Sequence, residues 1–163
     1  MVIIVMGVSG SGKTHIGEML AEERQVPFYD ADHFHTQNNV DKMEKGIPLT
    51  DADRLPWLTI LANQIREWNQ EGGAVLACSA LKEAYRERLS QDYTADVQFV
   101  YLKGSEELIL SRMHARQHFF PPHLLDSQFA DLEEPERAIT VDIKQTPEEI
   151  VEEIDNALEK GSQ

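Results

Sequence analysis

Gly7-Val8-Ser9-Gly10-Ser11-Gly12-Lys13-Thr14 is the stretch of this 163-residue chain whose residue types and spacing speak most clearly of chemistry. It satisfies G-x-x-x-x-G-K-[ST]. It also follows a short apolar run and opens a stretch of helical periodicity, the context that such a loop requires. Glycines let backbone N–H groups turn inward around phosphate oxygens, where a side chain would clash or forbid the dihedrals. A helix beginning near Lys13 aims its positive end at the same anions. The spacing therefore predicts a nucleoside triphosphate cradled by Gly7–Thr14, with Lys13 on its β- and γ-phosphates and the Thr14 hydroxyl on Mg²⁺.

Phosphoryl transfer asks for three more parts: a carboxylate for metal or acceptor, cations that follow the moving charge, and exclusion of water. Phe28-Tyr29-Asp30-Ala31-Asp32 supplies two acids at i and i+2, which on a strand end would point the same way. One can serve Mg²⁺ while the other accepts the proton of an attacking hydroxyl. We assign Asp30 to the metal side and Asp32 to the acceptor, with the reverse order left open. Asp53-Arg54, just before Pro56, reads as a helix start in which the acid is a cap and Arg54 stands free to meet an anion. Lys82 and Arg86, four apart after Cys78-Ser79-Ala80-Leu81, would share a helical face that clamps an acceptor's carboxylate. Arg88 points elsewhere. Arg112 and Arg116 are again four apart, and a segment over about 112–125 is expected to close as a lid. Its arginines would lie on the phosphates or stack on the base, shutting out water. His33 and His35 have no thiolate pair or i, i+4 partner, which argues against zinc, and Cys78 reads as a small buried residue.

The elements that must position these groups follow from hydrophobic periodicity. Short apolar runs at Val2–Met6, around Pro27–Tyr29, and at Ala74–Ala77, Val97–Leu102 and Ala138–Val141 alternate with helical patterns. Ile16, Met19 and Leu20 share one face, as do Leu58, Leu61, Ala62, Ile65 and Trp68. Thr146-Pro147-Glu148-Glu149 is a capping box that opens a last helix with Ile150, Ile154 and Leu158 as its stripe. Five runs alternating with helices predict a single α/β domain spanning 1–163: a five-stranded parallel sheet covered on both faces. Ligands in such folds bind beyond the carboxyl ends of the strands, so the residues just after each run matter most.

Composition bounds the partners. Fifteen Lys and Arg against 29 Asp and Glu leave a net charge of −14, which disfavours nucleic acid and anionic membrane. Half of that excess lies in residues 133–163 and reads as a solvated helix face. No apolar run approaches the roughly 18 residues of a membrane span. The opening run leads into the glycine loop and reads as a strand, not a signal peptide. With one cysteine and no disulfide framework, the chain is expected in the cytoplasm.

Together these segments resemble the gluconate kinase family, small P-loop kinases with a nucleoside-monophosphate-kinase-like fold. The likeness runs from GVSGSGKT through Asp30-x-Asp32, His35, Asn39, Lys42-Met43, Gly46, Pro48-Leu49, Asp51 and Asp53-Arg54 to Pro56-Trp57-Leu58. It continues through Cys78-Ser79-Ala80-Leu81-Lys82, Tyr85-Arg86, Tyr101-Leu102-Lys103-Gly104, the Arg112/Arg116 segment with His118-Phe119-Phe120, Leu125, Ser127-Gln128-Phe129 and Leu132-Glu133-x-Pro135. About residues 1–142 are covered; CSALK with D-x-D-R-x-P-W-L is the specific part. Gln117 departs from the glycine expected before His118. The resemblance implies ATP- and Mg²⁺-dependent phosphorylation of D-gluconate to 6-phospho-D-gluconate, feeding the pentose phosphate pathway, by a cytoplasmic homodimer. Arg54, Lys82, Arg86, Asp32 and His35 are the right kinds of group for a small anionic polyol, and the catalytic set would be Lys13, Asp32 and Arg116. Two alternatives stand beside it. One is a kinase for shikimate, which the CSALK segment disfavours because a glycine triplet is expected there. The other is a nucleotide-dependent switch without a small-molecule acceptor, which would leave the acids and the basic clamp unemployed.

Overall fold

Val2–Met6 forms β1, the middle strand of the sheet, and all five of its side chains are buried. The computed structural model describes residues 1–91, 96–115 and 122–161. Along β1, alternate residues serve opposite layers. Ile3 and Val5 join one core cluster, while Val2, Ile4 and Met6 join the other. A strand apolar on both faces belongs inside a parallel sheet, not at its rim.

Four more strands complete the sheet: β2 (Phe28–Asp30), β3 (Ala74–Ala77), β4 (Val97–Lys103) and β5 (Ile139–Asp142). They pair in the order β2-β3-β1-β4-β5, every neighbour parallel. All five predicted runs are therefore strands, displaced by no more than a residue or so. Helices α1 (Lys13–Arg24), α5 (Glu106–Ala115), α6 (Pro122–Asp131) and α7 (Pro147–Gly161) contribute to the cluster containing Ile3, through Ile16, Leu20, Ile109, Leu125 and Ile154. Helix α3 (Asp51–Gln70) covers the other face with Leu58, Leu61, Ile65 and Trp68, joined by Leu89 of α4 (Glu83–Leu89). Helix α2 (Gln37–Glu44) lies between the tip of β2 and α3.

The helix ends follow the sequence signals, with one shift. Thr146 and Glu149 cap α7 reciprocally, Thr146 Oγ1 accepting from Glu149 N and Glu149 Oε1 accepting from Thr146 N. Thr50 and Asp53 do the same for α3. That helix therefore starts at Asp51, earlier than the Asp53-Arg54 pair suggested, and it carries Pro56 in its second turn. The proline leaves the Ala52 carbonyl without its helical donor, and the capping box offsets part of that loss. The chain leaves β1 toward β3 and β2 on one side and β4 and β5 on the other. Its first loop thus lies at the switch point, where parallel sheets open a crevice.

Candidate active site

The glycine loop fills that crevice. Gly12 has φ +99 and Gly10 φ +79, both in the left-handed region. An added Cβ at Gly12 would meet nothing nearer than Ile16 Cγ1 at 4.0 Å, so the backbone angle and not crowding demands glycine there. At Gly10 a Cβ would also overlap Met113 of α5, which packs against the loop tip. Lys13 folds back along the loop, donating from Nζ to Gly7 O and Val8 O, each at 3.0 Å. Its burial pushes the ammonium pKa below the ordinary value, while the charges of Asp32 and Asp30 oppose that shift. Both acids are therefore electrostatic neighbours of Lys13. The first-turn N–H groups of Lys13 and Thr14 have no helical acceptors, which suits this end of α1 to phosphate oxygens.

The two acids reach the loop by a route other than strand alternation. β2 ends at Asp30, and Ala31–Phe34 form a 3₁₀ turn in which Asp30 Oδ1 caps the Asp32 N–H at 2.9 Å. The two acids are thus not aligned by the i, i+2 alternation of a strand. Asp32 owes its direction to the turn and its neighbours, because a capped turn is shorter and more sharply curved than a strand. The His35 ring, with Nε2 3.7 Å from Asp32 Oδ1, is the main cause holding the Asp32 carboxyl below its usual range; Lys13 and His33 add to the effect. His35 is no open ligand. Its side chain is 4% exposed and stacks on Trp57, with ring centroids 4.3 Å apart and planes 12° from parallel. Trp57 Nε1 in turn donates to Ala31 O at 2.8 Å, between the two acids.

The expected cationic clamp is built differently. Lys82 is the N-cap of α4, in extended backbone, so it and Arg86 do not share a helical face. Lys82 Nζ pairs with Asp51 Oδ1 at 3.2 Å, and this contact raises the lysine pKa. Arg54 donates from Nη1 to Tyr85 Oη at 3.1 Å, and the Tyr85 hydroxyl donates to Asp51. Hydrogen bonds from Tyr85 and then Lys82 keep the Asp51 carboxyl below its usual range. Arg54, Lys82, Tyr85 and Asp51 thus form one polar cluster between the starts of α3 and α4. It adjoins a crevice of about 30 Å³ that Arg54, Trp57, Ser79, Tyr85 and Asp131 help to line. Arg54 is not free, and Asp53 is committed both to its capping box and to Lys42 at 2.9 Å.

Arg86 is the clearest correction. It is 7% exposed and donates to Ala80 O at 2.8 Å, Leu81 O at 3.1 Å and Glu133 O at 2.8 Å. Ala80 lies at φ +45, a strained angle for a residue with a Cβ. Arg86 is thus the internal brace of the CSALK bend, and burial lowers its pKa.

On the lid side, Arg112 donates to Ile143 O just beyond β5. Arg116 lies outside the described residues, as do Gln117 and the His118-Phe119-Phe120 run. What composition did not single out is Gln128. Its Oε1 accepts from Ser9 N at 2.7 Å and its Nε2 donates to Ser9 Oγ at 2.9 Å, tying α6 to the glycine loop. Asn39, Asp51, Tyr85 and Glu133 were likewise visible only as members of the family pattern, because their partners lie far along the chain.

Known proteins resemble this chain over nearly its whole length. A family model described as shikimate kinase fits residues 9–159. A gluconokinase of Gluconobacter oxydans is 43% identical over 93% of this chain and 88% of its own length. A probable gluconokinase of Dictyostelium discoideum is 44% identical, covering 97% and 86%. The crystal structure of a gluconokinase from Sinorhizobium meliloti superposes with a TM-score of 0.87 at 40% identity, covering 99% of this chain and 97% of that one. A shikimate kinase from Acinetobacter baumannii, at 21% identity and a TM-score of 0.58, shares the fold alone. With gluconokinases 40–44% identical to it over nearly its whole length, the chain belongs to the gluconokinase family, within the shikimate-kinase-like P-loop kinases.

Proposed function

We propose that this protein transfers the γ-phosphoryl group of ATP to D-gluconate, giving 6-phospho-D-gluconate and ADP. The observation that carries the reading is the meeting of three strand tips. Lys13 lies in the glycine loop after β1, Asp30 ends β2 and Asp32 follows it within electrostatic reach of Lys13, and the CSALK bend after β3 accepts from Gly7 N through Ser79 O at 3.3 Å. In our reading Lys13 follows the migrating charge. Asp32 stays ionised and orients the acceptor hydroxyl, taking its proton late; a loose transition state asks little more of a base. Arg54 and Lys82, held beside the crevice by Tyr85 and Asp51, turn their remaining donors to the sugar acid's carboxylate. Arg86 serves by holding Ala80 and Leu81 in place.

The hydroxyl of Thr14 and the carboxylate of Asp30 are hard oxygen donors, the set that Mg²⁺ takes with phosphates. A magnesium ion held there neutralises phosphate charge. We propose a cytoplasmic enzyme from the family resemblance; no helix among the described residues is long and apolar enough to cross a membrane. We propose a homodimer from the family resemblance. The deciding measurement is ADP release with gluconate and shikimate assayed side by side. Turnover with gluconate is expected, and turnover confined to shikimate would refute the assignment.

A further inference from the structure

We infer that Asn39 and His35 form a buried relay that orients Asp32, so that His35 is a positioning residue and not a contact for the sugar acid. The consequence for catalysis rests on the kinase reading above; the relay itself does not. Asn39 lies in the first turn of α2, is fully buried, and carries two amide hydrogens on Nδ2. One goes to Asp53 O at 2.9 Å and the other faces His35 Nδ1 at 3.2 Å. A backbone carbonyl can only accept, so Asp53 O dictates which end of the amide faces it. Asn39 keeps that orientation even though its Oδ1 is left without a partner among the described residues. The flipped amide would set oxygen against oxygen and lose the bond to Asp53.

With an N–H pointed at it, Nδ1 must present its lone pair. The neutral imidazole then carries its hydrogen on Nε2, the nitrogen that faces Asp32 Oδ1 at 3.7 Å. That separation is longer than a hydrogen bond, but it is short enough for the N–H dipole to bias an otherwise exposed carboxylate. The ring cannot swing away: it lies on Trp57, and Trp57 is held by Ala31 O, in the backbone between the two acids. With 4% of its side chain exposed, His35 has little surface left for a substrate.

The test is nitrogen-detected NMR of the ¹⁵N-histidine-labelled full chain, with the pH raised until the His35 signals stop moving, so that the neutral ring is read. The His35 signals are identified by their loss in His35→Gln. The Nε2–H tautomer is expected in the wild type, with a shift toward a tautomer mixture in Asn39→Leu. In turnover, His35→Gln retains an N–H donor and His35→Phe retains only the stack. The Phe variant should therefore fall about two- to fivefold below the Gln variant in kcat, less than a full hydrogen bond is worth because the 3.7 Å contact is longer than one, with the KM for ATP unchanged. If Asn39→Leu fails to fold, the Gln and Phe pair still decides. An Nδ1–H tautomer in the wild type, equal kcat for Gln and Phe, or a raised gluconate KM with kcat intact would overturn the relay. Wild-type protein with the Nε2–H tautomer but no gluconate turnover would support the relay and refute the substrate assignment instead.

Discussion

Arg86→Met separates a brace from a substrate ligand. Methionine keeps an unbranched apolar stem, so the change removes little beyond the guanidinium. Ala80 O and Glu133 O lose a charged donor, whereas Leu81 O keeps Glu133 N at 2.8 Å. The buried Ala80 O left short costs roughly 1–3 kcal/mol and the part-buried Glu133 O less, and relief from burying the guanidinium returns part of it. The net loss is about 2 kcal/mol, which for a domain of this size lowers Tm by roughly 4–8 °C. Ala80, already at φ +45, is the residue freed to relax, so kcat should fall along with stability. A thermal melt followed by circular dichroism, with gluconate and ATP saturation curves, reads both effects. Because Arg86 touches carbonyls and not the acceptor, the gluconate KM should rise by less than about threefold. A Tm within about 2 °C of wild type, with a gluconate KM raised tenfold or more, would show that the guanidinium meets the sugar acid after all.

Lys13→Ala should lower kcat by about three orders of magnitude or more, since the migrating charge loses its partner; near wild-type turnover would remove the loop from the chemistry. Gln128→Ala deletes two hydrogen bonds to Ser9, so the KM for ATP should rise about tenfold while that for gluconate holds. The reverse pattern would place α6 on the acceptor side. The Asp53 carboxyl is pushed down to about 2 by the Thr50 backbone N–H and by Lys42. A depressed folded-state pKa stabilises above the unfolded value, and the contribution is lost as pH falls through the folded one. Asp53→Asn should therefore melt below wild type at neutral pH, with the gap closing between about pH 4 and about pH 2. A gap independent of pH would mean that the capping geometry alone matters.

The local parts of this protein were legible because their physics is local. Val2–Met6 reads as a strand from five consecutive apolar side chains, and it is one with both faces buried. The glycine loop is recognisable from spacing because backbone dihedrals and a helix end act within eight residues. Thr146 and Glu149 announce α7 by a cap that needs only three positions. Asp30 and Asp32 are electrostatic neighbours of Lys13, as two acids after a strand beside the glycine loop suggest, but the i, i+2 alternation does not describe their geometry. A strand rule was applied to a turn that Asp30 itself caps.

Residue order alone thus determined the layered sheet, the glycine loop and the caps of its helices, because periodicity and short-range capping are properties of neighbours along the chain. Only the tertiary structure decided what the cations do. Whether an arginine meets a ligand or a carbonyl depends on which loops are brought beside it. Arg86 is braced against Glu133, 47 positions away, Arg54 and Lys82 are gathered around Asp51 and Tyr85, and Ser9 is held by Gln128 from 119 positions away. Long flexible side chains carry the same charge in every setting, and the fold chooses their partners.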